Sequence, residues 1–161
     1  CYEDAKDFLG MTSVTLPDVD FIVATVSGAG IAGNVEAPII GHMNAMTAQL
    51  KFRTFSAESL KLLEPREHNI DLRAPQQVYD PIAGVYKTQS VKHVLVLVPK
   101  TLSNGNIAPA SPTDGSGSYA VRRWVTYIDD AKVMELDPYN YICEVNGVDY
   151  LSDTRKALGK S

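Results

Sequence analysis

Apolar and polar residues alternate with a period of two through most of the chain. The clearest case is the segment 41–53. Its alternating apolar positions are Met46, Ala48, Leu50 and Phe52. This period is typical of a strand with one buried face. The same alternation, or a run of β-branched residues, predicts further strands at residues 1–6, 11–16, 21–26, 68–74, 76–80, 85–98, 119–128 and 132–136.

Short polar segments between these strands predict tight turns. The strongest signal is Asn146-Gly147, because both residues tolerate the positive φ of a hairpin turn. Residues 81–84, Pro-Ile-Ala-Gly, and the pair Asp129-Asp130 are typical of turns as well. The connection 100–118 is longer than usual, and we expect a functional or locally disordered loop there.

Two short helices are also predicted. The first begins at Ser56, which is a good N-cap residue, and ends before Pro65. The second covers residues 150–158, with Asp149 as its N-cap and Gly159 after its last turn. The positions at helical spacing in the second are Leu151, Arg155 and Leu158.

Many short strands without a strand–helix–strand rhythm indicate a mainly β (α+β) protein. We predict two packed antiparallel β-sheets that form a sandwich or barrel, with one or two short helices. The 161 residues have the size of one domain, so residues 1–161 are taken as a single unit.

Composition narrows the classes of function. The 15 basic and 19 acidic residues give a net charge of −4. A nucleic-acid-binding protein usually carries an excess of basic residues, which this chain does not have. No apolar run approaches the roughly 20 residues of a membrane-spanning helix. The chain opens on Cys1 without a methionine, so we expect a native segment to precede it. Cys1 and Cys143 permit one disulfide, but two reduced thiols are the simpler expectation.

Residues 28–33 match the G-x-G-x-x-G pattern of dinucleotide-binding loops. That motif has to open a helix, and Pro38 would interrupt the helix that follows. We therefore expect no cofactor, and we interpret the glycines as a mobile loop or a backbone pressed against a partner chain.

No residue cluster predicts catalysis or a metal site. The three histidines, His42, His68 and His93, form no closely spaced pair, and strand alternation separates His68 from Glu67 and Asp71. We interpret Glu64, Glu67 and Asp71 as solvated or subunit-facing charges. Cys143 has no cationic neighbour in sequence that would lower the pKa of its thiol. The chain is expected not to be an enzyme.

The C-terminal quarter carries the most specific resemblance. Residues 135–137, 140–142 and 145–149, followed by Arg155 and Leu158-Gly159, resemble the ending of the major tail tube proteins of contractile-tailed (P2-like) phages or phage-derived bacteriocins. Earlier segments agree. They are residues 7–10, 14–17, 27–33 and 68–73. The resemblance covers most of the chain and is weaker at its start and in the loop 100–118.

This resemblance implies a structural protein whose fold is similar to that of the type VI secretion tube. Six copies would form a ring, and stacked rings would form a tube inside a contractile sheath, assembled in the bacterial cytoplasm and ending in a virion tail or extracellular particle. The implied partners are further copies of the chain, the tail sheath protein, baseplate and tail terminator proteins, and DNA in transit through the lumen. The alternatives are a type VI-like or bacteriocin tube and, in another class, a small β-barrel enzyme or ligand-binding module.

Three groups of residues are predicted to serve assembly. The subunit or ring interface would involve Gly28, Gly30, Ile31, Gly33, Asn34, Pro38, Met43 and Met46. A hairpin in the barrel wall would involve Tyr79, Val85, Tyr86, Val91 and Val94. The C-terminal turn and helix would be formed by Asn146, Gly147, Asp149, Leu151, Arg155 and Leu158.

Overall fold

The computed structural model describes residues 2–3, 7–8, 11–53 and 56–160. Within these ranges the chain forms strands and two short helices. The first strands are β1 (Tyr2–Glu3), β2 (Asp7–Phe8), β3 (Met11–Thr15), β4 (Phe21–Val26), β5 (Val35–Met43) and β6 (Met46–Phe52). After helix α1 (Ala57–Lys61) come β7 (His68–Asp80), β8 (Val85–Ser103), β9 (Gly115–Ile128) and β10 (Ala131–Asp137). The chain ends with β11 (Ile142–Val145), β12 (Val148–Asp149) and α2 (Ser152–Ala157).

Ten of the described strands form one antiparallel sheet that branches at β9. On one side β9 pairs with the 19-residue strand β8. On the other side its first half pairs with β6, from Gly115 to Val121, and its second half pairs with β10, from Trp124 to Ile128. Strands β4 and β5 form a separate two-stranded sheet. The predicted mainly β class is confirmed, and the described strands make a β-rich sandwich rather than a closed barrel.

The core lies on the inner face of the branched sheet. Strand β6 supplies the alternating set that the sequence predicted, and its burial alternates strictly along the strand. Fully buried leucines from β6 and β8, Leu50, Leu95 and Leu97, meet aromatic residues of β9. Burying one such leucine contributes roughly 1.5–3 kcal/mol. The other core residues are Met46, Ala48, Phe52, Leu62, Ile70, Tyr119, Val121, Trp124, Leu136, Cys143 and Leu151.

Helix α1 starts as predicted. The Ser56 hydroxyl accepts the backbone N–H of Ser59, and the Ser59 hydroxyl accepts that of Ser56. This reciprocal capping box satisfies two N–H groups that have no partner inside the helix.

The start of α2 differs from the prediction. Leu151, not Asp149, is the N-cap, because the Asp149 carboxylate accepts the N–H of Leu151 and so forms a turn before the helix. The predicted end is confirmed: Gly159 has φ +69° and donates its N–H to Lys156. Lys160 donates to Arg155, which completes a Schellman motif.

Two boundaries within the sheet were wrong in the sequence-based prediction. The predicted strand 41–53 is broken after Met43, and its first part belongs to β5, which pairs with β4. The predicted loop 100–118 is shorter, since β8 extends to Ser103 and β9 begins at Gly115. Residues 116–118 pair with β8 on one side and β6 on the other, so the ladders on both sides override their poor strand propensity.

Candidate interaction surfaces

A two-stranded arm is exposed over most of its length. We define the arm as residues 21–43, which contain β4, β5 and their connection. All six residues of β4 are exposed, and β5 is exposed over most of its length. The large apolar side chains exposed in the arm are Phe21, Ile22, Val23, Val26, Ile31, Val35, Ile39 and Ile40. A segment that exposes this many large apolar side chains is typical of a contact site.

The tip of the arm is the glycine-rich segment. Ile31 donates its N–H to the carbonyl of Gly28 at 3.2 Å, and Gly30 and Gly33 have φ angles of +100° and +128°. A Cβ added at Gly30 or Gly33 would meet no other atom within 4 Å, so the space around the tip is open. The G-x-G-x-x-G segment joins two antiparallel strands and opens no helix, which is not the geometry that holds a dinucleotide.

The base of the arm packs against the C-terminal segment. A Cβ built on Gly41 would lie 2.3 Å from Cδ2 of Leu151, and Gly41 has φ +76°. Both facts require glycine at this position. Beside it lies an apolar cleft of about 270 Å³, lined by Phe21, Pro38, Ile39, Ile40, Gly41, Cys143, Val145 and Tyr150.

A second projection is formed by the far end of the β7–β8 hairpin. We define the distal hairpin as residues 75–90, because β9 pairs with β8 only from Val91 onward. Tyr79 and Tyr86 lie opposite each other with ring centroids 5.1 Å apart. Ile82, in the turn, is 98% exposed. This hairpin therefore presents aromatic and apolar side chains without support from a third strand among the described residues.

An ion pair stabilises the turn of the distal hairpin. Lys87 Nζ lies 2.8 Å from Oδ2 of Asp80, whose Oδ1 accepts the N–H groups of Ile82 and Ala83. The hydrogen bond from Lys87 and those two backbone donors hold the pKa of Asp80 below its ordinary value. The turn is thus held by charge and backbone contacts, while its apolar residues remain exposed.

The outer face of the sheet carries ion pairs in place of an apolar patch. Glu135 is 6% exposed and accepts hydrogen bonds from Arg123 at 2.6 Å and Lys132 at 2.8 Å. Burial alone would raise the pKa of Glu135, but the hydrogen bonds from Lys132 and Arg123 outweigh it and lower that pKa. Lys132 also lies 3.2 Å from Glu144, and both hydrogen bonds raise the pKa of the lysine.

Comparison with known families shows which family the chain belongs to. The family model for phage tail tube protein FII matches residues 1–159. The chain belongs to this family. A search of curated proteins finds no match.

As a member of this family, the tail tube protein is a structural component of the virion tail of a bacteriophage. It self-assembles into a tube and associates with other tail proteins. The family is structural and is not known for catalysis. Within the described part of the chain, no helix is long and apolar enough to cross a membrane.

The predicted interface residues of the tail tube protein fall in different environments. Those from Gly28 to Asn34 are exposed at the arm tip, and Pro38 is exposed in β5. Met43 is half-buried where the arm leaves the body, whereas Met46 is 3% exposed in the core. Met46 is therefore buried, whereas the predicted interface residues at the arm tip are exposed.

The predicted barrel-wall residues divide into two sets. Tyr79, Val85 and Tyr86 are exposed in the distal hairpin. Val91 and Val94 are half-buried where β9 supports β8. These five residues therefore follow one strand pair from its free end into the sheet.

The predicted C-terminal residues surround one turn and one ion pair. Asn146 and Gly147 have φ angles of +51° and +83°, as a hairpin turn of this type requires. Arg155 lies 2.7 Å from Asp149 and donates to the carbonyl of Tyr141 at 3.1 Å. Leu151 is buried against the arm, and Leu158 is 54% exposed.

The candidate metal ligands do not converge. His68 is fully buried with Nε2 3.0 Å from the carbonyl of Glu64, and His93 Nδ1 accepts the indole N–H of Trp124. Among the described residues no group of three possible ligands occurs.

The predicted environment of Asp71 was wrong: it is 7% exposed, and Lys92 Nζ lies 3.5 Å from it. Alternation places it on the outer face, but long neighbouring side chains cover it there. Glu64 and Glu67 are exposed.

Cys143 is a buried thiol whose pKa is raised by burial and by Asp149. Cys1 lies outside the described residues, so its redox state stays a prediction.

Two parts of these surfaces were missed by the sequence analysis. Gly41 was not singled out, although a glycine inside an alternating segment is the usual sign of a close backbone approach. The ion-pair cluster around Glu135 cannot be recognised from a local sequence pattern, because its members come from strands β9, β10 and β11.

Proposed function

We propose that six copies of this chain form a ring, and that stacked rings form the inner tube of a contractile tail within its sheath. In this role the tube is both a conduit for DNA and the rod that penetrates the target envelope. The observation that carries the proposal is the arm, which holds eight large exposed apolar side chains on two strands.

An isolated two-stranded hairpin is marginally stable in water, so the arm gains most from a cover supplied by another copy. Burying the exposed half of one large apolar side chain contributes roughly 1 kcal/mol. Covering all eight side chains of the arm would then contribute about 8 kcal/mol. This free energy only offsets the cost of association, about 4–15 kcal/mol, so a stable assembly needs a second contact. The distal hairpin offers exposed side chains for it: Val78, Tyr79, Ile82, Val85 and Tyr86.

The charge of the chain fits a tube that DNA can pass. Six chains at −4 each give −24 per ring. A lumen with part of this negative charge would repel the phosphate backbone and prevent adhesion. The sheath, baseplate and tail terminator proteins would bind the outside and the ends of the tube. A bacteriocin tube or a type VI-like tube would share this architecture, and sequencing of the neighbouring genes for capsid and terminase distinguishes them.

Electron microscopy of the purified protein tests the proposal. We expect rings or tubes about 100 Å wide, from the packing of six domains of this size. Ile40→Asp, which places a charge on a side chain that is 67% exposed in the arm, should abolish tubes and leave a folded monomer. Ile107→Asp is the matched control, since Ile107 is 99% exposed in the loop after β8. A wild-type protein that remains monomeric at high concentration would contradict the proposal.

A further inference from the structure

Each of the two projecting hairpins carries a proline in one of its two strands. Pro38 lies in β5 of the arm, and Pro75 lies in β7 of the distal hairpin. A proline has no backbone N–H, so it cannot donate to a strand added at its edge. The direction in which each proline points therefore decides which edges of these hairpins can accept another strand.

Pro75 points toward the open edge of β7. Its partner across the hairpin is Ser90. The carbonyl of Ser90 accepts the N–H of Asp129 at 2.9 Å, and the N–H of Ser90 donates to the Asp129 carboxylate at 3.0 Å. The backbone of Ser90 thus faces away from β7, and in an antiparallel pair the backbone of its partner Pro75 must face away from β8.

Pro38 faces outward by the same reasoning. It lies opposite Val23 in the arm. Because a proline cannot complete the pair of bonds that two facing residues exchange, Val23 and Pro38 must form the other kind of pair, in which both residues direct their backbone groups outward. Pro38 therefore faces the outer edge of β5, and Val23 and Thr25 face the outer edge of β4.

Each hairpin consequently has one blocked edge and one open edge. The blocked edges are those of β5 and distal β7, and prolines at such edges prevent uncontrolled strand pairing. The open edges belong to β4, through Val23 and Thr25, and to distal β8, through Tyr86 and Thr88. Strand β4 has six residues and no charge. The distal part of β8 offers five residues, 85–89, because the outward backbone groups of Ser90 already bond to Asp129.

We propose that the open edge of β4 in one copy pairs with the open edge of distal β8 in the next copy, while Pro38 and Pro75 exclude the other two edges. This inference rests on the proposed ring. A ring needs two different surfaces that meet head to tail, whereas pairing of β4 with β4 would stop at a dimer. The β4–β8 pairing is the combination of these two open edges that propagates around a ring.

Proline substitutions test the assignment directly. Thr25→Pro and Thr88→Pro each remove an N–H that points outward and has no hydrogen-bond partner among the described residues, so the monomer should keep its urea midpoint. Each variant should lose tubes in electron micrographs. Gln77→Pro is the matched control, because it adds a second proline to the edge that Pro75 already blocks, and it should form tubes as the wild type does. Normal tubes from Thr25→Pro and Thr88→Pro would overturn the inference.

Cysteine cross-linking gives a second measurement, which does not require the fold to tolerate an added proline. In a Cys1→Ser background, Thr25→Cys combined with Thr88→Cys or Tyr86→Cys should yield a ladder of disulfide-linked oligomers in assembled protein. Thr25→Cys with Gln77→Cys should yield none. A ladder only from the Gln77 pair would overturn the assignment. If wild-type protein forms no tubes at all, the proposed function fails; if it forms tubes but neither predicted pair cross-links, only the β4–β8 pairing fails.

Discussion

Gly41 determines how closely the arm approaches the body of the protein. Its φ of +76° is disfavoured for other residues, and Leu151 occupies the space that a Cβ would need. Leu151 also precedes α2, so one glycine couples the arm to the C-terminal helix.

Gly41→Ala should lower the free energy of unfolding of the monomer by roughly 1–3 kcal/mol, through backbone strain and the clash with Leu151. Urea denaturation measures the change. Gly28→Ala is the control: a Cβ added at Gly28 would meet no other atom within 4 Å, and we expect a change within about 0.5 kcal/mol. Equal effects of the two substitutions would refute the packing argument.

Glu135 contributes stability that depends on pH. Its folded-state pKa is lowered, so its contribution is complete above the unfolded pKa of about 4.3 and is lost as the pH falls through the lower folded value. Glu135→Gln should cost roughly 1–3 kcal/mol at neutral pH, because Arg123 loses its carboxylate partner and Lys132 loses one of its two.

The difference in unfolding free energy between wild type and Glu135→Gln should shrink as the pH falls below the unfolded pKa of about 4.3. Chemical denaturation at a series of pH values measures it. Glu58→Gln, at an exposed position of α1, serves as the control and should stay near the wild type throughout. A difference that is independent of pH would argue against an ionised Glu135 in the folded state.

At the scale of helices, strands and turns, the sequence predicted best those features that depend on a few neighbouring residues. The N-cap at Ser56, the turn at Asn146-Gly147 and the glycine after α2 were predicted correctly because each depends on residues close together in sequence. The boundaries of β8 and β9 were predicted poorly, since ladders from two neighbouring strands hold serines and glycines extended. No local pattern encodes such support.

The arm illustrates the same limit. The sequence indicated strand β4 and a flexible glycine segment, but it did not show that β4 and β5 form a sheet apart from the body. Apolar residues on both faces of a strand usually indicate burial, and here no other described strand pairs with the arm. The residues alone left a mobile loop and a contact with a partner chain as alternatives, and the resemblance to tail tube proteins favoured the contact.

At the scale of the whole molecule, two exposed hairpins flank a body with a continuous core. Local opening costs least where few apolar contacts hold the backbone, so amide exchange should be fast in residues 21–43 and 75–90 of the monomer. In assembled tubes exchange in both segments should slow by at least tenfold, because strand pairing and burial protect them. The central residues 94–98 should exchange slowly in both forms.

Hydrogen–deuterium exchange with mass spectrometry measures this contrast, with Ile40→Asp as the monomeric reference. Equally fast exchange of the arm in tubes and in the monomer would show that the arm takes no part in assembly. Protection of the arm without protection of residues 75–90 would leave the ring contact to another surface.

Strand β8 has a mechanical consequence. From Val91 to Ser103 it is hydrogen-bonded to β9 on one side, and β7 covers much of the other. A pull along β8 therefore loads many hydrogen bonds at once, in shear, instead of opening them one after another as peeling would. The strand that carries the distal hairpin is thus anchored along most of its length, and force applied to that hairpin is spread across the central sheet.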